Sequence, residues 1–129
     1  MRGWARREAA VEEMRAQPGL VDEAATDLES VTRGADCVIL AMPTGAMGSV
    51  VERISSLDGT LVTDVGSVKG PVMREIEPLV AERGGRFVGS HPMAGSEKVG
   101  LAYAEPDLFV EAAVILTGGV DRPDRDHDV

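Results

Sequence analysis

Four short apolar runs, separated by segments of helical period, set the tightest limit on what this chain can fold into. They are "DCVILAM" (36 to 42), "TLVTDV" (60 to 65), "RFVGS" (86 to 90) and "AAVILTG" (112 to 118). The first is continuous in the manner of a strand buried on both faces, and the next two are shorter versions of it. Between the runs, Met47, Val50, Val51, Ile54 and Leu57 recur at three- and four-residue steps, as do Val72, Ile76, Leu79 and Val80, so each set forms one apolar helix face. Strand, helix and strand in repetition predict βαβ crossovers and a mostly parallel sheet with helices on both faces, an α/β fold. Pro78 lies inside the second helical pattern and is expected to kink or split it near Glu77.

Two further helices are expected, over 6 to 16 before Pro18-Gly19 and over 27 to 33 before Gly34. From residue 118 onward, "GGVDRPDRDHDV" has no apolar period and is dense in charge, which reads as a flexible tail that includes His127. Residues 1 to 117 therefore read as one domain and 118 to 129 as its acidic tail. With 129 residues and 43% hydrophobic side chains there is material for one small core. The net charge of -9 offers no basic stripe for a phosphate backbone, which argues against nucleic acid as a partner. The single cysteine, Cys37, sits in the first apolar run, forms no internal disulfide and reads as a small buried hydrophobe. No window approaches the ~18 apolar residues that span a bilayer, and charges occupy the N-terminus where a signal peptide needs an apolar stretch. A soluble protein of a reducing compartment, the cytoplasm, is the expectation, with a small molecule as its partner and no metal.

In a parallel α/β sheet a ligand sits beyond the carboxyl ends of the strands. The residues there are "MPTGAM" (42 to 47), "DVGSVKG" (64 to 70) and "GSHPMAGSEKVG" (89 to 100), all rich in residues that let backbone approach a ligand or also serve ordinary strand-to-helix turns. His91 stands in the last of these, in what reads as a tight turn after the strand, and imidazole is the side chain suited to accept a proton near neutrality. Ser67 and Lys69 read either as ligand groups or, for Ser67, as the cap of the next helix. Asp64 reads as a support for that loop or as a turn former, and Ser96, Glu97 and Lys98 as pocket lining or solvated loop. Arg6 and Arg7 follow a possible strand end at a helix start, with no acid before them. At the equivalent place in a dinucleotide fold an acid selects the ribose 2′-hydroxyl, whereas arginine accommodates a 2′-phosphate. They read equally as surface arginines. No GxGxxG occurs in the chain.

Taken together, "VDEAATDL", "ADCVILAMPTGAM", "LVTDVGSVKG" and "FVGSHPMAGSEKVGLAYAEPDLFVEAAVILT" resemble the prephenate dehydrogenase family, which includes arogenate and cyclohexadienyl dehydrogenases. The resemblance runs from about Arg2 to Thr117. It implies a Rossmann-like sheet lacking the first strand and Gly-rich loop, and an NAD(P)-dependent oxidative decarboxylation in tyrosine biosynthesis. It further implies that His91 is the base for the substrate's ring hydroxyl and that Ser67 lies near that hydroxyl and the nicotinamide. Ser96 and Glu97 would stand at the substrate pocket, Pro43 and Thr44 along the cofactor, and Arg6 and Arg7 at the ribose, in the manner of NADP-using members. The family's dimer-forming helical domain has no counterpart in these residues. A missing central strand would leave two half-sheets with unpaired edges, so the isolated chain is expected to be unstable or edge-paired and to have little activity. The competing readings are a catalytically dead interaction module and another α/β dehydrogenase, such as a hydroxyacid enzyme.

Overall fold

A computed structural model describes residues 1 to 95 and 100 to 118. Strand β1 (Arg2–Trp4) is followed by helix α1 (Glu8–Arg15), strand β2 (Glu23–Ala25) and helix α2 (Leu28–Thr32). Then come β3 (Cys37–Leu40), α3 (Thr44–Val51), β4 (Leu61–Asp64), α4 (Lys69–Ala81) and β5 (Arg86–Pro92). A single 3-10 turn at Leu101–Tyr103 precedes β6 (Val114–Thr117). The strands form two sheets: β1 and β2 pair in parallel, and the other four run in the order β3-β4-β5-β6. The α/β reading is thus met, and β3, β4 and β5 are parallel. The last apolar run departs from the simple repeat, because β6 pairs antiparallel with β5. β2 carried no periodic signal, being only three residues long.

The core lies between the four-stranded sheet and the pair α3 and α4. Leu40, Val62 and Phe87 from the strands meet Met47, Val50, Val51, Val72, Ile76 and Val80 from the helices. Leu28 of α2 belongs to the same cluster and Trp4 of β1 packs against it, which fastens the small sheet to the large one. Arg53 adds a cation over the Trp4 ring, 5.8 Å from its centroid. The opposite face of the large sheet is exposed along β3 and the start of β4, although Val88 of β5 is buried there. Ile39 is 58% exposed, Leu61 37%, and Cys37 is also exposed. The expectation of a strand buried on both faces at 36 to 42 therefore fails, and so does that of a buried Cys37: β3 is an edge strand, and alternation sends Cys37 and Ile39 to the uncovered side. β6 is likewise exposed along Val114 to Leu116.

Two helix boundaries also differ from the sequence reading. α3 ends at Val51, yet Ile54 and Leu57 stay in the core, delivered by a turn in which Ile54 N–H donates to the Val51 carbonyl (3.0 Å) and Leu57 N–H to the Arg83 carbonyl (2.7 Å). α4 runs through Pro78 without interruption. Pro78 and Arg74 both lie on the exposed face, so the carbonyl deprived of its donor can turn to water, and only the last turn is affected. The Arg83 guanidinium then closes both helix ends, donating to the carbonyls of Leu79 (2.8 Å), Ile54 (3.0 Å) and Glu52 (3.2 Å).

Replacing fully buried Ile76 by Ala is expected to lower the unfolding free energy by about 2–5 kcal/mol, read by urea denaturation. A loss under about 0.5 kcal/mol would mean that α4 is not packed as described. Glu29 accepts from the Ser55 hydroxyl (2.7 Å) and the Ser55 N–H (2.6 Å), and these bonds hold its carboxyl below the usual 4.5. A depressed folded-state pKa contributes stability above the unfolded value that disappears as the pH falls through the folded one. The acid limb of a melting-temperature profile should therefore be shallower below pH 4.5 in Glu29→Gln. An unchanged limb would remove this link between α2 and the residue 55 turn.

Candidate active site

β4 ends on Asp64, which is completely buried on the helix-covered face of the sheet. A buried carboxylate needs partners, because ionisation without them costs several kcal/mol. Asp64 has three donors. The Gly66 N–H reaches Oδ2 at 2.9 Å, the Lys69 ammonium pairs with the same oxygen, and the Ser90 N–H reaches Oδ1 at 3.1 Å. In return the Ser90 hydroxyl donates to the Asp64 backbone carbonyl. One side chain thus joins the turn after β4, the first residue of α4 and the end of β5. The pair is dry: the Lys69 side chain is 13% exposed and that of Asp64 is 0% exposed.

Two glycines make the arrangement possible by their lack of a side chain. A Cβ on Gly66 would lie 2.9 Å from the Thr44 methyl and 3.1 Å from Asp64 Oδ2, so the turn after β4 closes directly on the start of α3. A Cβ on Gly89 would lie 3.3 Å from Lys69 Cδ and 3.0 Å from the Met73 sulfur, which is the path the lysine stem takes to Asp64. Thr44, Gly66, Asp64, Lys69 and Ser90 are in this way one contiguous group at the carboxyl ends of β3, β4 and β5.

His91 follows Ser90 directly and is half-buried. It does not sit in a turn, as the sequence suggested. β5 continues to Pro92 because β6 pairs with it, His91 opposite Ile115 and Pro92 opposite Val114, and the Met93 N–H donates to the Ala113 carbonyl (2.8 Å). The ring is therefore carried on a hydrogen-bonded strand, a firmer mount than a loop. Ser67 is exposed in the turn between Asp64 and α4. It does not cap that helix, whose N-cap is Val68 without a side-chain bond. Pro43 is the exposed N-cap residue of α3, and half-buried Thr44 opens the helix. Arg6 and Arg7 are exposed between β1 and α1, with Arg7 as N-cap, and so belong to the small sheet. Ser96, Glu97, Lys98 and the tail from 119 lie outside the described residues.

Sequence reasoning missed Ser90 and the demand for glycine at 89. Their signal was the spacing of Asp64 and Lys69 across a strand end and helix start, which asks what else a buried carboxylate there would need. Among the described residues no cluster of metal-ligating side chains occurs, and no helix is long and apolar enough to cross a membrane.

A mostly parallel α/β sheet with small polar residues gathered at its strand ends is the arrangement of nucleotide-binding α/β domains. Comparison with known proteins makes the assignment particular. Residues 5–126 match the family described as "Prephenate dehydrogenase, nucleotide-binding domain", and the chain belongs to that family. It is 34% identical over 110 residues to a prephenate dehydrogenase of Lactococcus lactis subsp. cremoris, covering 83% of this chain and 31% of that protein. To a cyclohexadienyl dehydrogenase of Zymomonas mobilis it is 32% identical over 106 residues, covering 81% and 36%. The crystal structure of prephenate dehydrogenase from A. aeolicus with hydroxyphenyl propionate and NAD+ superposes with a TM-score of 0.77 at 31% identity, covering 91% of this chain and 41% of that one. The chain spans about a third of the length of the curated relatives it matches.

Proposed function

We propose that this chain is the cofactor-facing, proton-accepting part of a prephenate or arogenate dehydrogenase, working by NAD(P)-dependent oxidative decarboxylation. The observation that carries this reading is the placement of His91 and the Ser67 turn about one buried carboxylate at the strand ends. The residues present fit two parts of a nicotinamide dinucleotide. Gly45 leaves open space at the start of α3 beside Pro43 and Thr44, and Arg6 and Arg7 stand exposed at the end of β1. The chain has no GxGxxG, so no pyrophosphate cradle is assigned to it. A bound nicotinamide would supply the hydride acceptor. His91 holds the substrate's ring hydroxyl and takes its proton, Ser67 orients that hydroxyl, and loss of carbon dioxide aromatises the ring. Ser96 and Glu97 are assigned to the substrate side of the same cleft. The proposed activity is that of a longer polypeptide, since the chain spans about a third of the curated relatives it matches, and the free edges of β1 and β3 are where a further strand would pair. The chain by itself is accordingly of low stability and low activity.

The test is oxidation of prephenate, and separately of arogenate, by this chain and by a version extended with the flanking segments of its Lactococcus lactis relative. Turnover by the extended protein, reduced by about 10²-fold or more in kcat in His91→Ala, is expected. An extended protein that binds cofactor and oxidises neither substrate would overturn the reading in favour of a catalytically dead interaction module. NADP is proposed as the preferred cofactor. Replacing Arg6 and Arg7 by Ala should raise the KM for NADP by about tenfold while changing that for NAD little, as loss of charge-assisted hydrogen bonds to a 2′-phosphate requires. Equal use of both cofactors by the unsubstituted protein would defeat that preference.

A further inference from the structure

The reading of His91 as a base leaves a completely buried ionisable group, Asp64, without a part in the chemistry. If it served only the fold, it would be a poor choice, since an apolar group of similar volume often stabilises an interior as well as a buried ion pair does. Its bonds are distributed in an instructive way. Oδ2 takes the Gly66 N–H, next to Ser67, and the Lys69 ammonium, while Oδ1 takes the Ser90 N–H, next to His91. Only an acceptor-only group can serve these three donors together. An asparagine could still accept from Ser90, but its NH2 would then confront Gly66 and Lys69.

We propose that Asp64 is a positioning residue that fixes the turn bearing Ser67 and the strand end bearing His91 in a single relative geometry. The proposal rests on the proton-accepting role given to His91 above. Lys69 places its ammonium against the carboxylate in a dry site, and its stem crosses β5 where Gly89 leaves room. The Ser90 hydroxyl, bonded to the Asp64 carbonyl, locks β5 against β4 at the point where their regular parallel pairing ends, after Val88 opposite Thr63. Asp64 has no exposed surface to offer a substrate or cofactor, so its effect on the reaction passes through its two neighbours.

The experiment compares Asp64→Asn with Ser90→Ala, a milder change that removes one bond of the group, and with Ile76→Ala, which loosens α4 without touching either loop. In the extended protein, amide hydrogen exchange is read at Gly66 and Ser90 against Val11 in α1. Asp64→Asn should accelerate exchange at Gly66 by at least about tenfold and leave Val11 unchanged. In the extended protein, Asp64→Asn should lower kcat by about 10²-fold with the cofactor KM little altered, because misplacement of reacting groups by an ångström has that effect. Ser90→Ala should lower kcat in the same direction by less, and Ile76→Ala should leave kcat per folded molecule unchanged. Unaltered exchange at Gly66, exchange raised equally everywhere, or a kcat drop matched by Ile76→Ala would each overturn the proposal. If the unsubstituted extended protein oxidises neither substrate, the dehydrogenase reading falls, while the exchange measurement still decides whether Asp64 holds the two segments.

Discussion

A carboxylate with no access to water governs how this sheet ends. Asp64 lies on the helix-covered face, where an ammonium and two backbone N–H groups converge on its two oxygens. Each donor comes from a different segment, so satisfying the charge and assembling the strand ends are the same event. Thr44 closes on Gly66, Lys69 opens α4 and Ser90 ends the buried part of β5. Unpairing any of them leaves a polar group exposed to an apolar interior, a larger penalty than the net gain of one hydrogen bond.

The apolar core explains why those segments are near one another. α3 and α4 pack on one face of β3, β4 and β5 through Met47, Val51, Ile76 and Val80, all fully buried, and this sets the helix starts above the strand ends. Arg83 performs the matching task at the opposite ends of the helices, where three carbonyls share its guanidinium. The sheet itself is unevenly covered. Its second face shows Cys37, Ile39 and Leu61, and the β1–β2 pair joins the rest through α2 and Trp4 and not by strand pairing.

Much of the larger sheet was legible because its signals are local. Val72, Ile76 and Val80 declared α4 by their spacing, and "TLVTDV" declared β4 by its apolar character. His91 stood out through its neighbours, although it belongs to a strand and not a turn, since that depends on β6 returning antiparallel from more than twenty residues away. The exposure of Cys37 escaped detection for a similar reason: an apolar run records the strand, not whether a helix lies over each face. β2 was invisible because three residues carry no period.

The sequence alone determined the α/β class, the order of the main elements and the small polar residues that end each strand, because hydrophobic period and turn chemistry act over a few residues. Only the tertiary structure decided which of those residues meet. That Asp64 faces Lys69 and Ser90, that Ser67 caps nothing, and that Gly66 and Gly89 must lack side chains all follow from strand register and helix placement. These are set by burial of the whole core, and the cost of leaving a buried charge unpaired then selects the one arrangement in which every donor has its acceptor.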